Sequence, residues 1–234
     1  MDIQALEKIL SGATVVELGH VLQEDIPVWF THPHFVMKQW EYQSFGADAN
    51  DYMISMGDHN GTHIDSSYHF VKKENGSRSI DEYAAREVCG PCCVLHMHGY
   101  KAEQLVEKED IIAWEEKHGE IKEGDIVLVD FGWDKFFKPL PEGADFLAGW
   151  PGIGASAAEY LAEKKIKALG VDPCAADCSG PSGNVTHHIL LPKDILIIEC
   201  LANLDQLPER AYFVALPLRI KGGSGSPLRP IALY

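Results

Sequence analysis

No apolar run in the 234 residues approaches the roughly 20 needed to cross a bilayer. Basic charge is scarce: 20 Lys and Arg stand against 35 Asp and Glu, a formal net charge of −15. A surface of that sign repels phosphates, which argues against nucleic acid or an anionic membrane as a main partner. The opening Met1 to Lys8 lacks a basic segment followed by an apolar one, so the expected location is cytoplasmic. No repeat, low-complexity tract or linker divides the chain, and a single domain over residues 1–234 is expected. Zinc-finger cysteine spacing is missing. A serine-hydrolase elbow survives only in broken form, Gly223-Ser224-Gly225-Ser226-Pro227.

Histidine, by contrast, is concentrated. His59, His63 and His69 fall within eleven residues together with Asp65, spaced His-x3-His-x-Asp-x3-His. Neutral imidazole and carboxylate are the usual ligands of zinc and similar divalent metals. Asn60-Gly61 is a turn signal that breaks any helix between the first two histidines. Thr62 to Asp65 then reads as extended chain, in which residues two apart share a face, so His63 and Asp65 project together. The turn can bring His59 beside them, leaving His69 near the site and free for proton transfer. A second carboxylate, Glu199, ends the apolar run Ile195 to Ile198, where charge is costly unless paired or bound to metal. His187 lies twelve residues before it.

The remaining pattern alternates. Ile3, Leu6, Ile9 and Leu10 predict a helix ended by Gly12. Strands are expected over 14–18, 35–42, 52–56, 91–98, 126–131, 168–171, 195–198 and 212–216. Further helices are expected over 79–86, where Ser79 and Glu82 form a capping box, and over 109–118 and 156–164. Residues 24–35, with Trp29 and Phe30, and 222–227 read as loops. The class is α/β or α+β. Cys89-Gly90-Pro91-Cys92 copies a redox tetrapeptide but leads into a strand rather than a helix. A thiol redox protein using Cys89 and Cys92 is therefore the alternative from another functional class.

The chain resembles the cyclase family of metal-dependent hydrolases, which includes bacterial kynurenine formamidases and isatin hydrolases. The motif His59-Asn60-Gly61-Thr62-His63-Ile64-Asp65-x3-His69-Phe70 carries the resemblance. Pro151-Gly152-Ile153, Leu169 to Asp172, His187 with Glu199, and Gly225-Ser226-Pro227-Leu228-Arg229 extend it along most of the chain. Ser66-Ser67 departs from the family's Ala-Pro. The resemblance implies an α/β domain with a mixed, barrel-like sheet and flanking helices, assembled as a homodimer or larger homo-oligomer. It implies one or two zinc or manganese ions on His59, His63, Asp65, His187 and Glu199. It makes His69 the proton donor and acceptor and places Trp29 against substrate. His188 competes with its neighbour, and the interval to Glu199 favours His187. The implied reaction is hydrolysis of a small aromatic amide, an aryl formamide such as N-formylkynurenine or, alternatively, a cyclic amide of the isatin type.

Overall fold

The computed structural model describes residues 2–180 and 183–234. Its strands are β1 (Val15–Glu17), β2 (Val36–Glu41), β3 (Asp51–Ser55), β4 (His63–Asp65), β5 (Cys89–His96), β6 (Leu105–Val106) and β7 (Ile126–Asp130). The later ones are β8 (Gly152–Ile153), β9 (Ala168–Val171), β10 (Leu196–Glu199), β11 (Arg210–Val214), β12 (Gly225–Pro227) and β13 (Ile231–Leu233). The helices are α1 (Ile3–Gly12), α2 (Lys108–His118), α3 (Ala155–Glu163) and α4 (Val185–Leu190). Nine strands form one curled, mixed sheet in the order β1-β13-β11-β5-β7-β9-β10-β4-β12, the half-barrel that the resemblance implies. Its centre, β5-β7-β9-β10, is parallel, and both wings are antiparallel.

The central strands are buried on both faces, and their period of two separates two cores. Leu95, Val127, Val129, Leu169, Val171 and Ile197 point towards α2 and α3. Val94, Ile126, Leu128, Leu196 and Ile198 point into the hollow of the curl, where they meet Phe213. Gly170 is required by close approach: a Cβ there would lie 2.6 Å from Leu128 Cδ2 and 2.8 Å from Leu201 Cδ1.

Most expected elements stand, with two corrections and a helix that was not expected. Residues 79–86 do not form one helix: the Ser79–Glu82 capping box closes only a 3-10 turn, Ile80–Glu82, and a second turn spans Ala85–Glu87. Residues 225–227, read as loop, form β12 against β4. Residues 185–190, with His187, form the short α4. Cys89 and Cys92 sit on β5 an odd number of residues apart, so their side chains leave opposite faces of the strand. Burial pushes the Cys92 thiol up to about 12, which leaves it without thiolate character at neutral pH. The geometry thus opposes the redox alternative.

Candidate metal centre

Chain direction and register assemble the site. β4 runs antiparallel between β10 and β12, placing His63 opposite Glu199 and Asp65 opposite Gly225. His63 and Asp65 share a face of β4, as the alternation requires, while Ile64 fills the core behind. Gly61 takes the left-handed conformation, φ +63°, in the turn that returns His59 towards Asp65. Thr62 pins that turn to the end of β10: its hydroxyl donates to the Cys200 carbonyl and accepts from the His20 amide. Gly225 is the second necessary glycine, because a Cβ would stand 2.6 Å from the His59 ring. α4 delivers His187 from the other side.

The six expected ligand and proton-transfer groups come together. His59 Nδ1 is 2.6 Å from Asp65 Oδ1. His63 Nε2 lies 3.5 Å from Asp65 and 3.4 Å from Glu199, and His187 Nε2 lies 3.4 Å and 3.3 Å from the same carboxylates. His69 stacks on His59 with ring centroids 3.9 Å apart. Trp29 lines the adjoining cavity. His188 packs edge-on to Phe70 at 5.2 Å, whereas the His187 ring faces Asp65 and Glu199.

The outer nitrogens decide what this cluster can hold. His63 Nδ1 lies 2.8 Å from the Gly61 carbonyl, which only accepts, so that nitrogen carries the hydrogen. His187 Nδ1 faces the Asp177 carboxylate. His59 Nε2 lies 2.8 Å from the Ser224 hydroxyl, which itself donates to Asp58. In its neutral form each imidazole would therefore aim a bare nitrogen at carboxylate oxygens, acceptor against acceptor. Asp65 Oδ2 is buried with no hydrogen-bond partner. Such a site needs protons or a cation between the lone pairs. Two ligand atoms about 2.1 Å from one ion at the tetrahedral angle lie about 3.4 Å apart, close to the 3.3–3.5 Å seen for His63 and His187. The donor set, imidazole and carboxylate, fits a zinc- or manganese-type divalent ion.

Without a cation, protons take its place between the lone pairs: burial opposes charge on His63 and His187, yet their hydrogen-bond partners and the Asp65 and Glu199 carboxylates raise both imidazoles well above their usual value. Burial works against charge on Asp65, yet His59, His187 and His63 outweigh it and hold the carboxyl well below the usual range. Burial likewise opposes charge on Glu199, but His187 and His63 pull it down to about 2. Burial pushes the His69 imidazole down to about 4, keeping it neutral at pH 7.

Sequence reasoning missed the outer partners. Asp177 accepts from the Thr186 amide at 2.6 Å and from His187 Nδ1, holding both the start of α4 and the ring. Its only sequence signal is a carboxylate ten residues before a candidate ligand. Loss of such a partner generally costs about 10–100-fold in metal affinity. Asp177→Asn is expected to weaken metal binding within that range, as measured by chelator competition; unchanged affinity would show that α4 packing alone holds His187. Ser66 and Ser67 are also explained. Ser66 Oγ donates to the Ser224 carbonyl at 2.7 Å, and Ser67 Oγ accepts from the Arg78 amide at 2.9 Å. The departure from Ala-Pro is thus absorbed in hydrogen bonds that fasten the turn carrying His69.

The Cyclase family model, described as “Putative cyclase”, matches residues 16–178. The chain belongs to the cyclase family. An isatin hydrolase of Roseibium aggregatum is 32% identical to it, with 97% of this chain and 94% of that protein covered. A kynurenine formamidase of Erythrobacter litoralis is 28% identical, with 94% of each covered. An isatin hydrolase structure bound to the product analogue thioisatinate superposes with a TM-score of 0.91 at 29% identity, covering 100% of this chain and 99% of that one. The cyclase-family chain is a hydrolase, and the expected amidohydrolase class agrees with these relatives. Among the described residues no helix is long and apolar enough to cross a membrane.

Proposed function

We propose that this cyclase-family protein hydrolyses the amide carbon–nitrogen bond of a small aromatic substrate at a divalent-metal centre. The observation that carries the reading is the set of bare imidazole nitrogens converging on Asp65 and Glu199 beside an aromatic-walled cavity. That cavity, about 290 Å³, is lined by Trp29, Val28, His32 and Phe70 on its way to the cluster. His59, His63, Asp65, His187 and Glu199 would hold one or two zinc or manganese ions. When bound, such an ion supplies Lewis acidity, lowering the pKa of water and polarising a carbonyl. Asp65, common neighbour of three imidazoles, keeps them turned inward. Trp29 and Phe70 offer flat apolar walls that orient an aromatic ring and exclude water from it. His69, neutral and stacked on His59, can take a proton from water at a ring nitrogen and return it to the leaving amine.

A cyclic amide of the isatin type is preferred over the aryl formamide that the sequence first suggests. Its support is the higher identity to an isatin hydrolase, 32% against 28% for the kynurenine formamidase, and the superposition on an isatin hydrolase structure. The test is turnover of isatin and of N-formylkynurenine by protein stripped with chelator and reloaded with zinc or manganese. Faster ring opening supports the preferred substrate, and faster formamide cleavage reverses the order. No metal-dependent turnover of any aromatic amide would reject the proposal.

The proposed assembly is a homodimer or larger homo-oligomer. Among the described residues β2 and β3 pair only with each other, and a lone two-stranded ribbon is barely stable in water. The ribbon nevertheless exposes Met37, Trp40, Tyr52, Met53 and Ile54, with Phe45, 84% exposed, in the connection between its strands. α1 leaves Ile3, Leu6, Ile9 and Leu10 exposed as well, so the helix is where expected but has no buried residue. A second copy would cover these surfaces. Trp40→Asp with Phe45→Asp is expected to shift sedimentation towards the monomer; a wild-type chain that sediments as a monomer would sink the assignment. A cytoplasmic setting is also proposed, supported by Cys89, Cys92, Cys93, Cys174 and Cys200 all being outside disulfides; export of the native protein would contradict it.

A further inference from the structure

The carboxyl edge of the parallel strands carries a second cluster, at the far side from β4. His96 ends β5 and Asp130 ends β7, and the register sets them side by side. His98 lies two residues on, in the turn that Gly99 completes with φ +95°. His96 Nδ1 and His98 Nε2 each stand 2.7 Å from one and the same oxygen, Asp130 Oδ2. Asp130 Oδ1 is occupied separately, accepting the Gly132 amide at 2.9 Å. Asp130 is buried, whereas the His98 side chain is 55% exposed, so the cluster opens to solvent.

Hydrogen accounting gives the cluster its meaning. His96 Nε2 lies 3.1 Å from the Leu207 carbonyl, which only accepts, so that nitrogen carries the hydrogen of a neutral imidazole. Nδ1 then presents a bare lone pair to a bare carboxylate oxygen. A proton could bridge one such contact. His98 Nε2 can carry its own hydrogen to the same oxygen, so protons alone can satisfy the cluster; its claim as a cation site is that two imidazole nitrogens and one carboxylate oxygen lie within 4.8 Å of one another and open to solvent. The pattern repeats that of His63, whose outer nitrogen is fixed on the Gly61 carbonyl while the inner one faces carboxylates. An outer N–H held by a backbone carbonyl is the usual device for orienting a metal-binding histidine.

We propose that His96, His98 and Asp130 form a second divalent-cation site of the zinc class, separate from the catalytic centre. Two imidazoles with one carboxylate suit zinc better than magnesium or calcium, which prefer all-oxygen shells. The exposed side leaves positions for water, and the net charge of −15 favours cation uptake. An ion there ties the end of β5 to the end of β7. It also offsets the crowding of Asp130, Asp172 and Asp134, neighbours whose mutual repulsion adds to burial in raising Asp172 to about 7.

The test is the zinc content of the whole chain after equilibrium dialysis against Zn²⁺, compared among wild type, His98→Ala, Asp130→Asn and His63→Ala. Wild type is expected to hold one equivalent more than His98→Ala or Asp130→Asn, while His63→Ala keeps that equivalent and loses metal elsewhere. Cobalt substitution gives a second readout, a visible absorption band retained in His63→Ala and absent from His98→Ala/His63→Ala. Because the measurement is a difference, it is independent of how many ions the catalytic centre takes. His98 is exposed, so its truncation is expected to leave the circular dichroism spectrum unchanged. Equal zinc content in wild type and His98→Ala would overturn the proposal and identify the cluster as a protonated ion pair.

Discussion

Replacing His69 with alanine is expected to leave metal content unchanged and to reduce turnover by about 10²–10⁴-fold, the usual contribution of a positioned acid–base group. The expectation rests on placement. His69 sits on the 3-10 turn Ser67–His69, with its backbone amide on the Ser66 carbonyl, and its ring stacks on His59. It stands beside the ligand cluster, and the rings of His59, His63 and His187 reach the carboxylates without it. Removing it opens space next to His59 but breaks none of the contacts that orient the three inner nitrogens. The paired measurement is metal content together with single-turnover rate. A variant that loses its metal yet regains full activity on reloading would make His69 a ligand instead of a proton carrier.

Replacing Asp65 with asparagine has the larger expected effect on the metal: affinity falls by at least about 100-fold, or about 2.7 kcal/mol, and turnover falls with it. The side chain is fully buried, with His59, His63 and His187 all directed at it. The amide fills the same space but removes the negative charge and one of the two acceptor oxygens. Glu199 is then the carboxylate left facing the inner nitrogens, and it lies beside those of His63 and His187. Chelator competition measures the loss directly. Retention of tight, stoichiometric binding in this variant would remove Asp65 from the ligand set.

The first half of the site was legible because it is nearly contiguous. A turn at Asn60-Gly61 and a period of two in β4 are enough to place His59, His63 and Asp65 together, and the structure follows that reading residue by residue. The second half was not derivable from pattern. Glu199 announced itself as a charge ending an apolar strand, but its pairing with His63 depends on β4 lying antiparallel to β10, a long-range register that local sequence does not encode. His187 was singled out beside Glu199, but its choice over His188 came with the resemblance, since the short helix has no apolar period to reveal which ring faces the site. Asp177, Ser224 and Asp58 were invisible for a related reason: they act on the outer nitrogens, and only through space. β12 was read as loop because glycine and serine signal turns. There the glycine answers to the nearby His59 ring, so side-chain packing overrode composition. The capping box of Ser79 and Glu82 formed as written, but a cap specifies where a turn begins and not how far a helix runs.

The outer nitrogens of His59, His63 and His187 are already committed, to a hydroxyl, a backbone carbonyl and a carboxylate. The rotational freedom of these rings is therefore spent while the chain folds, before any ion arrives. A zinc finger gathers its ligands around the metal and unravels when the metal is taken away. This protein builds its socket from strand register and hydrogen bonds, so chelation should empty the socket and leave its shape. Uptake of the proposed ion would then need no refolding, and one divalent metal is expected to replace another with the circular dichroism spectrum unchanged.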